Sequence, residues 1–203
     1  MFTGIIEAQG RIAAVEAVGG DVRMTITEAG GYLSDARLGD SIAVNGVCLT
    51  AVRFVENGFV ADLSAETLAA TTSGAWAPGQ VVNLEKALTP AKPLGGHLVS
   101  GHVDGIGHLV EKLEDARGWR LSFEVPAPLA RYIARKGSIT IDGISLTVNA
   151  VEGRRFGVMI VPHTWTHTSL GGLAVGGAVN LEVDLIARYL ERLLAAREEE
   201  KNL

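Results

Sequence analysis

The chain has 203 residues, 47% of them apolar, and a formal net charge of −5. That size suits one large domain or two small ones, each with a full core. The charge excludes nucleic acid as the main partner, since basic residues are scattered singly apart from pairs such as Arg135-Lys136 and Arg154-Arg155.

No apolar run is long enough to span a membrane. The start, Met1 to Glu7, has no charged leader, and one cysteine, Cys48, leaves no intrachain disulfide to form. These features predict a cytoplasmic protein. In chain order, Val22, Met24 and Ile26 alternate with polar residues and predict a half-buried strand. Asn45-Gly46, between apolar runs, predicts a tight hairpin turn. Val81–Glu85 reads as another strand, and Thr89 to Gly96 has linker composition. The glycine-rich stretch Gly101 to Gly107 lacks a following lysine-serine pair and opens no helix, so it is not a phosphate loop. Trp119, Leu121, Phe123 and Val125 predict a strand, and Pro128–Lys136 a helix stopped by Gly137. Asp142-Gly143 predicts a second hairpin. Pro162 and the neighbouring threonines favour a loop around His163 and His167. Those histidines, like His97 and His102, lack a third ligand, so no metal site is expected. Val179–Val183 reads as a strand. From Asp184 onward, Leu185, Ile186, Tyr189, Leu190, Leu193 and Leu194 recur at helical spacing. That helix either packs back on its own domain or joins copies of the chain. Glu198, Glu199 and Glu200 oppose its dipole, so its tip should fray.

An internal repeat organises these elements. At an offset of 97, Gly4 meets Gly101, Gly10 meets Gly107 and Ser41 meets Ser138. Val44 through Thr50 meet Ile141 through Thr147, and Val82-Asn83-Leu84-Glu85 meet Val179-Asn180-Leu181-Glu182. Phe59, Thr67, Thr71 and Gly79 meet Phe156, Thr164, Thr168 and Gly176. The register holds for more than eighty residues without a gap. The repeat predicts tandem β domains at 1–97 and 98–184, each a closed antiparallel barrel, followed by a helix at 185–203. The fold class is all-β with one terminal helix.

Matched positions that differ point to a division of labour. Cys48 faces Ser145, His102 faces Ile5, Lys136 faces Gly39, Asp184 faces Ala87, Asp62 faces Met159 and Glu66 faces His163. The set predicts two related pockets with different chemistry, as in an enzyme handling two copies of one molecule or in one ligand-binding site beside a degenerate copy.

Met1 through Glu7, Asn45 through Thr50, Gly95 through Gly105 and Asp142 through Val148 resemble the riboflavin synthase family, in order and over nearly the whole chain. The resemblance implies two six-stranded Greek-key barrels and a homotrimer held by the C-terminal helices. It also implies a reaction of two 6,7-dimethyl-8-ribityllumazine molecules, in which a four-carbon transfer yields riboflavin and 5-amino-6-(ribitylamino)uracil without a cofactor. Association with lumazine synthase belongs to the same implication. Each barrel would bind one lumazine, and the productive site would join the N-barrel of one subunit to the C-barrel of the next. The N-barrel pocket would use Gly4, Ile5 and Ile6; Cys48, Leu49 and Thr50; Asp62, Leu63, Ser64, Ala65, Glu66 and Thr67; and Gly101, His102 and Val103. The C-barrel pocket would use Lys136; Ser145, Leu146 and Thr147; and Ile160, Val161, Pro162, His163, Thr164 and Trp165. Trp165 stands where the family often has leucine. Phe2, Ser41, Cys48, His102, Thr147 and Asp184 match positions linked to catalysis. The lumazine 7-methyl group is acidic because its anion delocalises into the ring, and His102 is the first candidate for the base. Cys48, Ser41 or a held water would add at C7 of the other lumazine. Backbone amides beside Thr50 and Thr147 would read the pyrimidine edge. Alternatives are a non-catalytic lumazine- or flavin-binding antenna protein and a flavin-dependent reductase, the latter lacking any nucleotide-binding fingerprint.

Overall fold

Period-2 apolar patterning becomes two β-sheets in the computed structural model, which describes residues 1–201. The first half holds β1 (Ala8–Val18), β2 (Asp21–Glu28), β3 (Ser41–Val44), β4 (Val47–Thr50), β5 (Arg53–Val55), β6 (Gly58–Leu63) and β7 (Val81–Lys86), with a short helix α1 (Ala65–Ala70). The second holds β8 (Gly105–Asp115), β9 (Gly118–Glu124), β10 (Ser138–Ile141), β11 (Ile144–Glu152), β12 (Arg155–Ile160) and β13 (Ala178–Val183), with α2 (Ala127–Ala130) and α3 (Pro162–His167). A terminal helix α4 (Leu185–Lys201) follows. None of the described helices is long and apolar enough to cross a membrane.

The second half closes into a six-stranded barrel, β10-β11-β12-β9-β8-β13, around Leu109, Leu121, Phe123, Ile139, Val158 and Leu181. The first half departs from the expected closed six-stranded barrel. It is an open seven-stranded sheet, β4-β3-β7-β1-β2-β6-β5, around Ile12, Met24, Ile26, Ile42, Phe59 and Leu84. The repeat supplies the reason. At the 97-residue offset β4 and β5 together match the single strand β11, so the sheet's two ends are two pieces of one strand. The break falls at Ala51–Val52. The Ala51 N–H donates to Asp40 O on one side and the Val52 N–H to Val60 O on the other, both at 2.9 Å. In β11 the matching point is only a register shift between Val148 and Ala150.

Two helix assignments differ from the sequence reading. The helix expected over Pro128–Lys136 is a single turn, α2, followed by irregular turns. Lys136 takes φ +69°, which sends its N–H to Val148 O at 2.7 Å and ends any helical path. The loop expected around His163 and His167 is the helix α3. Pro162 sits in its first turn, where a missing N–H breaks no bond.

Both predicted hairpins form, with positive φ at Asn45 (44°), Gly46 (77°), Asp142 (45°) and Gly143 (80°), as a type I′ turn requires. The turns meet back to back. A Cβ on Gly46 would lie 2.7 Å from Gly143 N, and one on Gly143 would lie 2.8 Å from Gly46 N. The hydrogen bonds around them are reciprocal, as an approximate two-fold axis demands. Asn83 Nδ2 donates to Asp142 O and Asn180 Nδ2 to Asn45 O, each at 2.9 Å. Asn45 Oδ1 accepts the Asn83 N–H at 2.7 Å, and Asp142 Oδ1 accepts the Asn180 N–H at 2.8 Å.

The chain also exchanges segments between the halves. Phe2 pairs with Val99 in an antiparallel bridge, with N–H to O distances of 2.7 and 3.1 Å. Beyond that bridge, Ile6 packs on the second core and Val103 on the first.

Asp142 breaks the symmetry of the junction, because its counterpart is the neutral Asn45. Full burial pushes its carboxyl up to about 7, against the one backbone hydrogen bond from Asn180 that favours the anion. Below about pH 4 the group is neutral folded or unfolded and carries no penalty. As pH rises towards 7 the unfolded chain ionises while the folded one stays protonated, so stability falls, and above 7 the loss is constant. Asp142→Asn should therefore stabilise the protein increasingly between pH 4 and 7, by roughly 4 kcal/mol on the plateau. Urea titrations of both proteins at pH 4, 6 and 8 check the slope.

Candidate functional site

Cross-strand partners share a sheet face, so the hairpin registers decide which side chains gather. In the first half Ser41 pairs with Thr50 and Ala43 with Cys48, while Leu49 between them points into the core. Cys48 packs with Phe2, Ala43, Val99 and Ala87, and Phe2 is fully buried. The crossing segment closes this face. Cys48 N–H donates to Gly101 O at 2.9 Å. Gly101 has φ +78°, and a Cβ there would lie 2.7 Å from Cys48 Cβ and 2.8 Å from Phe2 Cε2. Only glycine admits that approach. His102 follows, exposed, with its N–H donating to Ser100 Oγ at 3.3 Å.

The β6–α1 corner contributes less uniformly. Leu63 is core. Ser64 caps α1 by accepting the Thr67 N–H at 3.2 Å, which leaves Ala65, Glu66 and Thr67 in a solvent-facing first turn. Asp62 is committed to Arg23 through two hydrogen bonds of 2.7 and 2.9 Å, and that guanidinium holds its carboxyl below the usual range. It is a cross-strand ion pair on an exposed face.

The second half repeats the arrangement. Ser138 pairs with Thr147 and Thr140 with Ser145, giving a hydroxyl-lined face with Thr147 exposed. Gly4 takes the place that Gly101 takes in the first half. Ser145 N–H donates to Gly4 O at 2.8 Å, and a Cβ on Gly4 would lie 2.6 Å from Ser145 Cβ. Gly4, Ile5 and Ile6 therefore lie at the second half, not at the first-half pocket where the resemblance put them. The exchange of segments is the reason. Leu146 packs on the second core, Ile160 is buried and Val161 exposed. Lys136 is exposed beside the start of β10. On α3, Trp165 stacks on Trp119 at 4.0 Å and 6°, with Lys112 Nζ 4.5 Å above its ring, so the indole covers the barrel end. His163 stacks on His167 at 4.1 Å, and Thr164 is half-buried. No group of three metal-ligating side chains forms among the described residues.

His97 joins the second site without having been singled out for it. Its Nδ1 lies 2.7 Å from Ser145 Oγ and its Nε2 3.3 Å from Thr140 Oγ1. Burial pushes the imidazole below its ordinary value, opposed by the nearby Asp184 carboxylate. Asp184 is half-buried and accepts the Ile186 N–H at 3.0 Å, at the start of α4. The repeat comparison could not reveal His97, because its counterpart would fall before residue 1. The signal was its adjacency to the Leu98–Val103 crossing segment.

A depression of about 600 Å³ lies over β8, β9, β11 and β12, and none of the candidate residues lines it. A smaller one of about 350 Å³ includes Ser41.

The model of the lumazine binding domain matches twice, over residues 3–87 and 100–184. The chain is 48% identical over 194 residues to riboflavin synthase of Photobacterium phosphoreum, covering 96% of this chain and 89% of that protein. The chain belongs to the riboflavin synthase family. The same family's Mycobacterium tuberculosis (strain ATCC 25618 / H37Rv) member is 47% identical over 198 residues, covering 96% and 98%. Among solved structures, LumP complexed with riboflavin superposes with a TM-score of 0.84 at 25% identity, covering 90% of this chain and 99% of that one. LumP complexed with 6,7-dimethyl-8-(1'-D-ribityl) lumazine shares the fold, with a TM-score of 0.82 and 24% identity over the same shares.

Gly101→Ala should displace the crossing segment from Cys48, since the new methyl has no room and the backbone disfavours it. The expected result is a loss of turnover of about tenfold or more, with far-UV circular dichroism unchanged.

Proposed function

We propose that this chain is a transferase that dismutates 6,7-dimethyl-8-ribityllumazine, moving four carbons from one molecule to a second to give riboflavin and 5-amino-6-(ribitylamino)uracil. The observation that carries the reading is the pair of matched faces, each finished by a segment from the opposite half and each bearing different chemistry. One has Cys48, Ser41 and His102. The other has Ser145, Thr147, His97 and Asp184. Two like molecules held in unlike surroundings is the arrangement a dismutation needs. Identity of 47–48% to riboflavin synthases supports the reaction itself.

In this reading a base at the first face, His102 or a water it holds, takes the proton of one 7-methyl group. A nucleophile, the Cys48 thiol, Ser41 or water, adds at C7 of the other lumazine. Most of the acceleration comes from holding two ring systems in reacting geometry. That none of the candidate residues lines the depression of about 600 Å³ supports completion of the site by a neighbouring copy. So does α4, whose Ile186, Tyr189, Leu190, Leu193 and Leu194 are each more than half exposed. Its polar side faces the body instead, through Arg188 to Asp104 and through Glu191 to Arg131 and Tyr132. We read the exposed stripe as the contact of a homotrimer that sets the first half of one subunit against the second half of the next.

Incubation with the lumazine alone, followed by riboflavin fluorescence, tests the activity; tight binding without product would favour an antenna protein. His102→Gln and Cys48→Ala should each slow single turnover by about 10- to 100-fold without abolishing it, and total loss with intact binding contradicts the proximity argument. Leu190→Asp with Leu193→Asp should yield monomers by sedimentation that still bind lumazine yet form no riboflavin.

A further inference from the structure

Among the carboxylates that the proposed chemistry leaves unused, Glu85 on β7 and Glu182 on β13 are buried at matched repeat positions. Their exposures are 1% and 4%. Each gathers three hydrogen bonds from two consecutive residues of a crossing segment. Glu85 Oε1 accepts from Thr3 N and Thr3 Oγ1, both at 2.7 Å, and its Oε2 accepts from Gly4 N at 2.9 Å. Glu182 Oε1 accepts from Ser100 N at 2.6 Å and Ser100 Oγ at 2.7 Å, and its Oε2 accepts from Gly101 N at 2.9 Å. A carboxylate with both oxygens on fixed donors is a stiff clamp.

The clamp acts across the halves. Glu182 is rooted in the second barrel, but the residues it holds lie against the first. Gly101 O accepts the Cys48 N–H, and His102 is the next residue. The two clamps also differ in their surroundings. Lys92 Nζ stands 3.3 Å from Glu85. The matching position for Glu182 is Tyr189, exposed on α4, and the charge acting on Glu182 is His102. Burial pushes the Glu182 carboxyl up, against its bonds from Ser100 and Gly101 and the charge of His102.

We infer that Glu182 is a positioning residue for the first-half site, holding Ser100 and Gly101 so that His102 is presented beside Cys48, and that Glu85 sets Ile5 and Ile6 at the second-half site in the same way. The inference rests on the reaction site proposed above, and the experiment separates the two.

Glu182→Gln and Glu85→Gln are made in the full chain and studied by steady-state kinetics and by NMR of the histidine rings. Glutamine keeps one acceptor and turns the other into a donor facing an N–H. Glu182→Gln should lower kcat by about tenfold or more with KM changed by less than about threefold, and should move the His102 ring resonances. Glu182→Asp should restore part of both. Glu85→Gln should leave the His102 resonances in place. Ser100→Ala, which removes one donor and keeps the carboxylate, should move the same resonances, and it serves if Glu182→Gln does not fold. Lowered Tm in both glutamine variants with kcat and the His102 resonances unchanged would overturn the inference. If the parent protein makes no riboflavin, the resonances still report on the clamp, so the clamp and the reaction fail separately.

Discussion

Gly46 and Gly143 touch backbone to backbone, and the rest of the molecule is arranged around that contact. The approach leaves no space for a side chain on either glycine, and both turns need a left-handed backbone as well. Once the turns meet, the surrounding polar groups lie too deep for water and must find partners in the protein. The reciprocal asparagine bonds supply them, and Ser169 Oγ and the Thr72 N–H complete the set with Asn83 and Asn180. Geometry at the axis then dictates geometry away from it. The strands that follow each turn carry Cys48 and Ser145, and each receives a glycine of the opposite crossing segment.

Symmetry is kept where packing requires it and dropped where chemistry differs. Glu7 and Asp104 occupy matched positions and accept the matched N–H groups of Lys86 and Val183, at 2.9 and 2.7 Å. Their remaining oxygens serve different ends. Lys92 of the linker sits 2.8 Å from Glu7, whereas Arg188 of α4 pairs with Asp104. One acid thus ties down the connection between the halves, and its twin ties down the terminal helix. Cys48 against Ser145 and Asn45 against Asp142 are departures of the same kind, set on a common backbone.

Most of the fold was legible before the structure because a repeat reports on itself twice. The two hairpins followed from Asn45-Gly46 and Asp142-Gly143, and the strands from alternation around Met24 and Phe123. Residues whose state depends on distant partners were not legible. Lys136 sits in a run of good helix formers, yet its N–H goes to a strand. Ala51 and Val52 look like ordinary strand residues, yet they divide one strand into two sheet ends. The site shows the same limit. Cys48 and Ser145 stood out by comparison of the halves, but no local pattern says that residues 4–6 belong with the second half. His97 had no counterpart to be compared with. Exchange of segments between halves leaves no periodic trace.

That exchange has a consequence for how the protein is made. Gly4 is placed by Ser145, which the ribosome adds 141 residues later. At common elongation rates the wait is roughly ten to thirty seconds. Residues 4–6 are made long before Ser145 and are therefore among the last to reach their place. The first half can assemble its own sheet in that interval, but Gly4 is not secured until the second hairpin arrives. Contacts of such long sequence separation slow folding, and they make the appearance of the second site a late event in the life of each new chain.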